Sequence, residues 1–304
     1  AQPCCGNHPW ASMLILRRCA ATAARQRQVR VSFGARCVPK FANSKGDDAF
    51  FASHGLGCFG LADGVGGWAA QGIDSGLFSR ALLREVLDGL HKRGGDMQHA
   101  DLPEVLEDAF KAVRAQRIRG SSTVLLGAVL GDMVSLLNIG DSGVLALRPV
   151  LIPSVARNHP PRTELRRLYR STPMLSRHNM PYQLSSDDPG TSVIETFDHV
   201  IVRLRCGDVL VAGSDGLFDN VSDREIENLV LTYHEQKRGD PADPPAELVE
   251  SITSAAAESA RLPLEVAGLP SACGGKLDDI SVVVLEACPW TSTPESELLQ
   301  NIFI

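Results

Sequence analysis

The stretch TVLLGAVLGDMVSLLNIGDSGVLAL, Thr123–Leu147, decides the fold. Its three apolar runs, Thr123–Leu130, Met133–Ile139 and Gly143–Leu147, are separated only by Gly131-Asp132 and Gly140-Asp141-Ser142. Runs of this kind joined by a two-residue Gly-Asp turn predict an antiparallel hairpin, which the third run extends into a meander. Upstream, Ala49–Ser53 and Cys58–Ala62 are two further short strands joined by a turn containing His54, Gly55 and Gly57. A helix is expected from Asp74 or Ser75 to His91, because Leu77, Phe78, Ala81, Leu82, Val86 and Leu90 fall on one stripe and Gly94-Gly95 follows. A second helix, capped by Asp101 with Pro103 in its first turn, gathers Val105, Leu106, Ala109, Phe110 and Val113 on one face.

Downstream of the meander, residues 149–192 are rich in Pro, Arg and Ser and read as irregular, with a helical turn around Glu164–Tyr169. His199–Leu204 and Asp208–Ala212 read as a hairpin closed by Cys206-Gly207. Ser222 with Glu225 three residues later is a capping box opening a helix to about Gln236. Another helix covers Pro245–Arg261, and Ile280–Leu285 is a final buried strand. Strands in local hairpins and helices in two separate blocks predict an α+β fold rather than a parallel βαβ sheet.

The 304 residues carry a net charge of −6, unevenly placed. No Asp or Glu precedes Asp47, whereas Arg17, Arg18, Arg25, Arg27, Arg30, Arg36, Lys40 and Lys45 do. Setting those eight positive charges aside leaves the rest of the chain at −14. An acidic body disfavours a general nucleic-acid or anionic-membrane binder and suits a protein that gathers carboxylates around cations. The acid-free start, with its Arg, Ala and Ser, reads as a transit peptide, mitochondrial ahead of plastid, with a cytoplasmic protein bearing a basic tail as the alternative. The expected division is a basic segment over 1–44, a catalytic domain over 45–290 and a tail over 291–304. No apolar run reaches membrane-spanning length. The eight cysteines show no C-x-x-C pair, so neither a zinc site nor a disulfide frame is expected.

The chemistry lies in Asp residues that recur at strand ends, usually beside Gly. Asp47-Asp48 precedes Ala49, and Asp63-Gly64 follows Leu61-Ala62. Asp141 follows Ile139-Gly140, Asp215 and Asp219 follow the run from Val209, and Asp278-Asp279 precedes Ile280. One Asp-Gly is ordinarily a turn. Five such stations beside hydrophobic strands point instead to a coordinated set. Hard divalent cations such as Mn²⁺ and Mg²⁺ take oxygen ligands, and carboxylates supply oxygen and compensating charge together. Adjacent glycines allow close backbone approach.

The ordered motifs Gly-Asp-Asp-Ala, Ala-Asp-Gly-Val-Gly-Gly-Trp, Gly-Ser-Ser-Thr, Gly-Asp-Ser-Gly, Ser-Asp-Gly-Leu-Phe-Asp-Asn and Lys-Leu-Asp-Asp-Ile-Ser resemble the protein phosphatase type 2C family, in the form of its organellar branch. The resemblance spans residues 45 to 287. It implies a four-layer α-β-β-α sandwich with two Mn²⁺ or Mg²⁺ ions at one edge, and a monomer acting on phosphorylated protein substrates. It further implies that Asp63 bridges both ions, that the Gly64 carbonyl and Asp47 serve one, and that Asp215 and Asp278 serve the other. Asp48 would order water, and Asp141 and Asp219, with Asp215, match a weaker third site of some members. The implied reaction is hydrolysis of phosphoserine or phosphothreonine by a water activated between the cations, without a phospho-enzyme.

Two positions depart from the family. Its phosphate-gripping Arg is replaced by Asn43, with Lys45 or Arg36 as candidate substitutes, and its His after Asp-Gly is Val65. Leaving-group protonation is then expected from metal-bound water or from His54, which otherwise reads as an exposed loop histidine. Arg166, Arg167 and Arg170 read either as a solvated helical face or as an attractor of phosphorylated substrates. The alternatives to a protein phosphatase are a catalytically silent partner-binding relative, a metal-dependent small-metabolite phosphatase and a nuclease.

Overall fold

The computed structural model describes residues 29–94, 97–99, 101–153, 161–177, 180–188, 197–237, 245–262, 274–289 and the backbone of 301–303. The expected transit segment before residue 29 lies outside them. In chain order come β1 (Val29–Val38), β2 (Ala49–Ser53), β3 (Cys58–Ala62), a 3₁₀ turn (Gly66–Gln71), α1 (Ser75–Arg93) and α2 (Asp101–Ala115). Then follow β4 (Ser121–Ser122), β5 (Val124–Leu130), β6 (Met133–Ile139), β7 (Gly143–Ile152) and β8 (Arg162–Arg170). The short pieces β9 (Leu175–Arg177), β10 (Met180–Pro181) and β11 (Leu184–Ser185) lead to β12 (Asp198–Arg203) and β13 (Val209–Gly213). The chain finishes with α3 (Asp215–Phe218), α4 (Asp223–Gln236), α5 (Ala246–Ala260), β14 (Ile280–Pro289) and β15 (Asn301–Phe303).

Two antiparallel sheets result, ordered β1-β14-β13-β7-β8 and β12-β6-β5-β3-β2-β15. Phe33, Phe50, Phe59, Leu61, Leu125, Leu136, Leu210 and Leu285 fill the space between them. The outer face of the second sheet carries Phe51, Leu126 and Leu137 against Phe78, Leu82 and Leu106 of α1 and α2. The outer face of the first carries Val211, Val282 and Val284 against Ile226, Val230 and Ile252 of α4 and α5. These four layers are the α-β-β-α sandwich expected. Both faces of the inner strands are covered, so β2, β3 and β13 are buried at every position and read as unbroken apolar runs. Each fully buried Phe contributes roughly 1.5–3 kcal/mol of transfer free energy.

Two helix starts follow the sequence signals, whereas Asp101, expected to cap α2, is its first helical residue and accepts from the Gln98 N–H at 2.9 Å. Asp74 caps α1 by accepting from the Gly76 N–H, and Ser222 with Glu225 forms a complete capping box on α4. Leu77, expected on the apolar stripe of α1, is 54% exposed, and Leu83 is buried in the packed face.

Three stretches differ from expectation. Glu164–Tyr169 is strand, not a helical turn, because Arg162–Arg170 pairs antiparallel with β7. The register shifts between Ala146 and Leu147, which face Tyr169 and Arg167, so Leu168 is an extra residue. That bulge lets Leu168 and Tyr169 both pack into the inter-sheet core while Leu165 packs on the other side. It gives a strand the i, i+3, i+4 spacing of a helix. The expected hairpin of 199–212 is also not formed: β12 pairs with β6, whereas β13 pairs with β7 and β14 in the other sheet. Arg148 pins the crossing, its guanidinium donating at 2.7 and 2.6 Å to the buried Asp208 and at 3.1 Å to the Arg203 carbonyl. Lastly, Val29–Val38, within the basic first segment, is a ten-residue strand on β14, with Val31 and Phe33 buried between the sheets. Asn301–Phe303 of the expected tail pairs with β2.

Candidate metal centre

The pairing register brings the five acidic stations to one edge. Ala49 faces Ala62, so Asp48 and Asp63 emerge side by side from β2 and β3. Val124 faces Ile139, and Gly213 faces both Gly143 and Val282, which places Asp141, Asp215 and Asp279 at the same end. His54 follows Ser53, at the opposite end of β2, where its ring meets Phe33 edge-on. Five residues of extended strand, about 16 Å, separate it from the acidic edge. His54 therefore does not replace the missing acid.

Close backbone contacts lock the edge together. Gly64 donates its N–H to the Asp47 carbonyl, and a Cβ there would come within 2.6 Å of that oxygen and 2.8 Å of the Ser75 carbonyl. A Cβ on Gly216 would meet the Asp279 carbonyl at 2.0 Å. Only glycine fits at either place. Asp279 is a clasp: its carboxylate accepts from the Lys40 N–H at 2.7 Å and from the Asp47 N–H at 2.6 Å, tying the β1 exit and the β2 entry to the start of β14. With Asp279 so committed, Asp278 is the member of the pair whose carboxylate acts on Asp63. Asn220 braces the same loop, donating at 2.8 Å to the carbonyls of Gly216 and Lys276.

The carboxylates strain against one another. Burial first, and then Asp48, Asp215, Asp278 and Asp141, push Asp63 well above the usual carboxylate range. Asp48, 4% exposed, is lifted well above it by burial, with Asp279 and Asp215 adding and the Ser281 and Ser214 hydroxyls opposing. Burial and then Asp215 lift Asp141 to about 6, and the same two causes raise Asp278. Asp48 Oδ2 and Asp141 Oδ1 are buried with no hydrogen-bond partner. Buried, unpaired oxygens that repel one another fit a cation site of hard donors.

Two lysines answer part of that repulsion, and sequence reasoning missed both. The Lys40 ammonium donates to Asp47 Oδ2 at 2.9 Å and lies 3.7 Å from Asp278. Asp47 Oδ1 accepts from the Ser75 hydroxyl at 2.9 Å. The Lys276 ammonium contacts Asp215, lies 2.6 Å from Asp219 and 3.8 Å from Asp278. Burial works against its charge, but Asp215 and Asp219 hold Lys276 more basic than usual. Among the described residues, no three His, Cys, Asp or Glu side chains converge tightly enough to hold an ion as they stand. Of the candidates for the missing phosphate grip, Arg36 pairs with Glu250 of α5, and Lys45 lines a groove outside the edge. Lys40 is the one that reaches inward. Lys276 had a visible signal, being part of Lys-Leu-Asp-Asp; Lys40 stood seven residues before Asp47 with no motif of its own.

On β8, Arg166 is exposed, whereas Arg167 and Arg170 are occupied. Arg167 pairs with Asp223 and Glu227, and Arg170 pairs with Asp223 while stacking on the Phe218 ring at 4.0 Å. They bind β8 to α3 and α4. No helix among the described residues is long and apolar enough to cross a membrane.

No family model matches the chain. Sequence relatives are nevertheless plain. The chain is 34% identical over 256 residues to "Probable protein phosphatase 2C 71" of Oryza sativa subsp. japonica, covering 81% of this chain and 49% of that one. It therefore spans about half the length of that relative. It is 32% identical over 302 residues to "Probable protein phosphatase 2C 26" of Arabidopsis thaliana, covering 91% of this chain and 92% of that one. Among solved structures it resembles the photosystem II phosphatase PBCP, with a TM-score of 0.63 at 25% identity, over 84% of this chain and 98% of that one. It shares its fold with the catalytic domain of the phosphatase PstP in complex with two manganese ions, with a TM-score of 0.59 at 18% identity, over 86% of this chain and all of that one. The chain belongs to the protein phosphatase 2C family.

Proposed function

We propose that the chain is a metal-dependent protein phosphatase that hydrolyses phosphoserine and phosphothreonine. The observation that carries this reading is the convergence of five strand-end stations on one edge, where Asp63 feels the charge of Asp48, Asp215, Asp278 and Asp141 at once. Asp47, Asp63, the Gly64 carbonyl, Asp215 and Asp278 are the residues that would hold two Mn²⁺ or Mg²⁺ ions. Bound there, the ions supply an activated water and neutralise charge on the phosphoryl group. PstP, which shares the fold, is described with two manganese ions, which favours Mn²⁺.

The chain's own residues do the positioning. Asp279 fixes the backbone of Asp47, Gly64 lets β3 close against that backbone, and Ser75 orients the Asp47 carboxylate. Asp48, with one buried oxygen unpartnered, is placed to orient water. Lys40 has its ammonium at the mouth of the edge, 4.0 Å from where a Cβ on Gly66 would stand, and takes the phosphate-gripping role left open by Asn43. Lys276 stands on Asp215 and Asp219, two of the three acids that match the weaker third site, and its ammonium would compete with an ion there.

The test is phosphate release from a phosphothreonine peptide by the purified protein, with Mn²⁺ and with EDTA. Release that needs Mn²⁺ and disappears in Asp63→Asn is the expected result. A folded protein that takes up Mn²⁺ yet releases nothing would leave the silent partner-binding reading standing in its place.

A further inference from the structure

Beside the acidic edge runs a groove of about 810 Å³ with the opposite charge. Lys45, Arg80, Arg84, Arg117 and Arg119 line it. The two acids in its wall are already spent on the fold. Asp74 caps α1 and accepts from Arg80 at 3.2 Å, and Glu85 accepts from the Gln116 amide at 2.6 Å. Lys45 and Arg117 have no carboxylate partner among the described residues. Five cations stand against Asp74 and Glu85 in the wall and Asp187, which pairs with Arg119 at 3.3 Å, so the groove is net positive on a chain whose net charge is −6.

The groove opens from the acidic edge. Lys45 is two residues from Asp47, and Arg80 donates to the Gly46 carbonyl at 3.0 Å. At the other wall the Arg119 guanidinium lies 5.3 Å from the centre of the Trp68 ring, whose indole donates to Ser121 at 2.7 Å. Trp68 follows Asp63 by five residues. The first turns of α1 divide the two sites: Ser75 and Ser79 face Asp47, while Leu77, Arg80, Ala81 and Arg84 face the groove. The exposed Leu77 gives the groove an apolar floor among its charges.

We propose that this groove binds an acidic stretch of the phosphoprotein substrate, next to the phosphorylated residue held at the acidic edge. The proposal rests on the phosphatase reading and adds the substrate class. The argument is charge complementarity: on a chain of net charge −6, a net-positive groove beside the acidic edge attracts a carboxylate-rich segment, and so fixes direction as well as affinity. Arginine forks suit carboxylates, which they bind in a bidentate manner. The negative body disfavours nucleic acid as the occupant.

The experiment compares phosphothreonine peptides of equal length with Asp/Glu-rich or neutral flanks, and para-nitrophenyl phosphate as a substrate too small to reach the groove. In the intact protein with Mn²⁺, the acidic peptide should have a KM about tenfold lower than the neutral one at low salt, with the difference fading as ionic strength rises. Arg84→Glu with Arg117→Glu should abolish the preference while leaving para-nitrophenyl phosphate turnover within about twofold. Equal KM for the two peptides, or the preference surviving in the double variant, overturns the proposal. So does competition by a DNA oligonucleotide as strong as that by an acidic peptide of equal charge. Fluorescence anisotropy of the labelled peptides reads the same preference as an affinity. The groove is thus tested even if no phosphate is released, in which case only the phosphatase reading fails.

Discussion

The two halves of the acidic edge are built on opposite principles. Asp48, Asp63 and Asp141 sit among other carboxylates and hydroxyls, and no ammonium is paired with them among the described residues. Asp47, Asp215, Asp219 and Asp278 each lie within ion-pair distance of Lys40 or Lys276. The first half is held charged only at a loss and gains most from an incoming cation. The second already carries cations on the chain itself. On the reading proposed above, the difference locates metal dependence in the buried half, and leaves to the lysine half how many ions bind and how tightly.

The largest effect expected comes from breaking the buried half. Asp63→Asn should lower Mn²⁺-dependent phosphate release by more than about a hundredfold, since it removes the carboxylate that feels Asp48, Asp215, Asp278 and Asp141 at once. The same substitution should raise the stability of the metal-free protein, because it relieves repulsion that keeps Asp63 above its ordinary range. Urea unfolding in EDTA reads the second effect. A loss of stability alongside the loss of activity would mean that Asp63 is structural.

Lys276→Met breaks the other half and should act in the reverse sense. It removes an ammonium that competes for Asp215 and Asp219, so calorimetric titration should show Mn²⁺ binding about tenfold tighter, or a third ion taken up. The metal-free variant should be less stable by about 1 kcal/mol, a modest figure because Lys276 is 40% exposed. Unchanged affinity together with unchanged stability would show that the ammonium does not lie among these carboxylates in solution.

The contrast also marks what the sequence made legible. The strand-end acids were visible because each sits where an apolar run stops, and the hairpin register of β2–β3 and β5–β6 then brings them to one end. The layers were visible because hairpins, capped helices and unbroken buried runs all point to the same architecture. Lys40 was not, because nothing local tells whether a lysine on a loop points to water or inward. Its inward direction comes from Asp279, which lies 239 residues away and holds its backbone. β8 was missed because a bulge at Leu168 disguises strand period as helix period. The 199–212 stretch was misread because a turn signal cannot say that the two strands beside it belong to different sheets; Arg148, reaching Asp208, decides that.

The smallest effect, and the one that separates the halves most cleanly, is in the pH dependence of the metal-free protein. Asp141 is lifted to about 6 in the folded chain, against about 3.9 for a free Asp. A carboxylate whose folded pKa is raised binds its proton more tightly in the native state. Its penalty is therefore absent below about pH 4, develops between 4 and 6, and is complete above 6. Relative to Asp141→Asn, then, the wild type should lose stability as pH rises through that window, by roughly 1 kcal/mol once partial solvent exposure is allowed for. The comparison with the variant matters because His54, His99 and His199 are all lowered by burial and act in the opposite direction over pH 5 to 7. They are present in both proteins and cancel in the difference. Urea titrations of the two proteins in EDTA at pH 4, 5, 6 and 7 give that difference directly. A flat line would mean that Lys276, which acts on Asp141 only at a distance, reaches it in solution and erases the distinction between the halves.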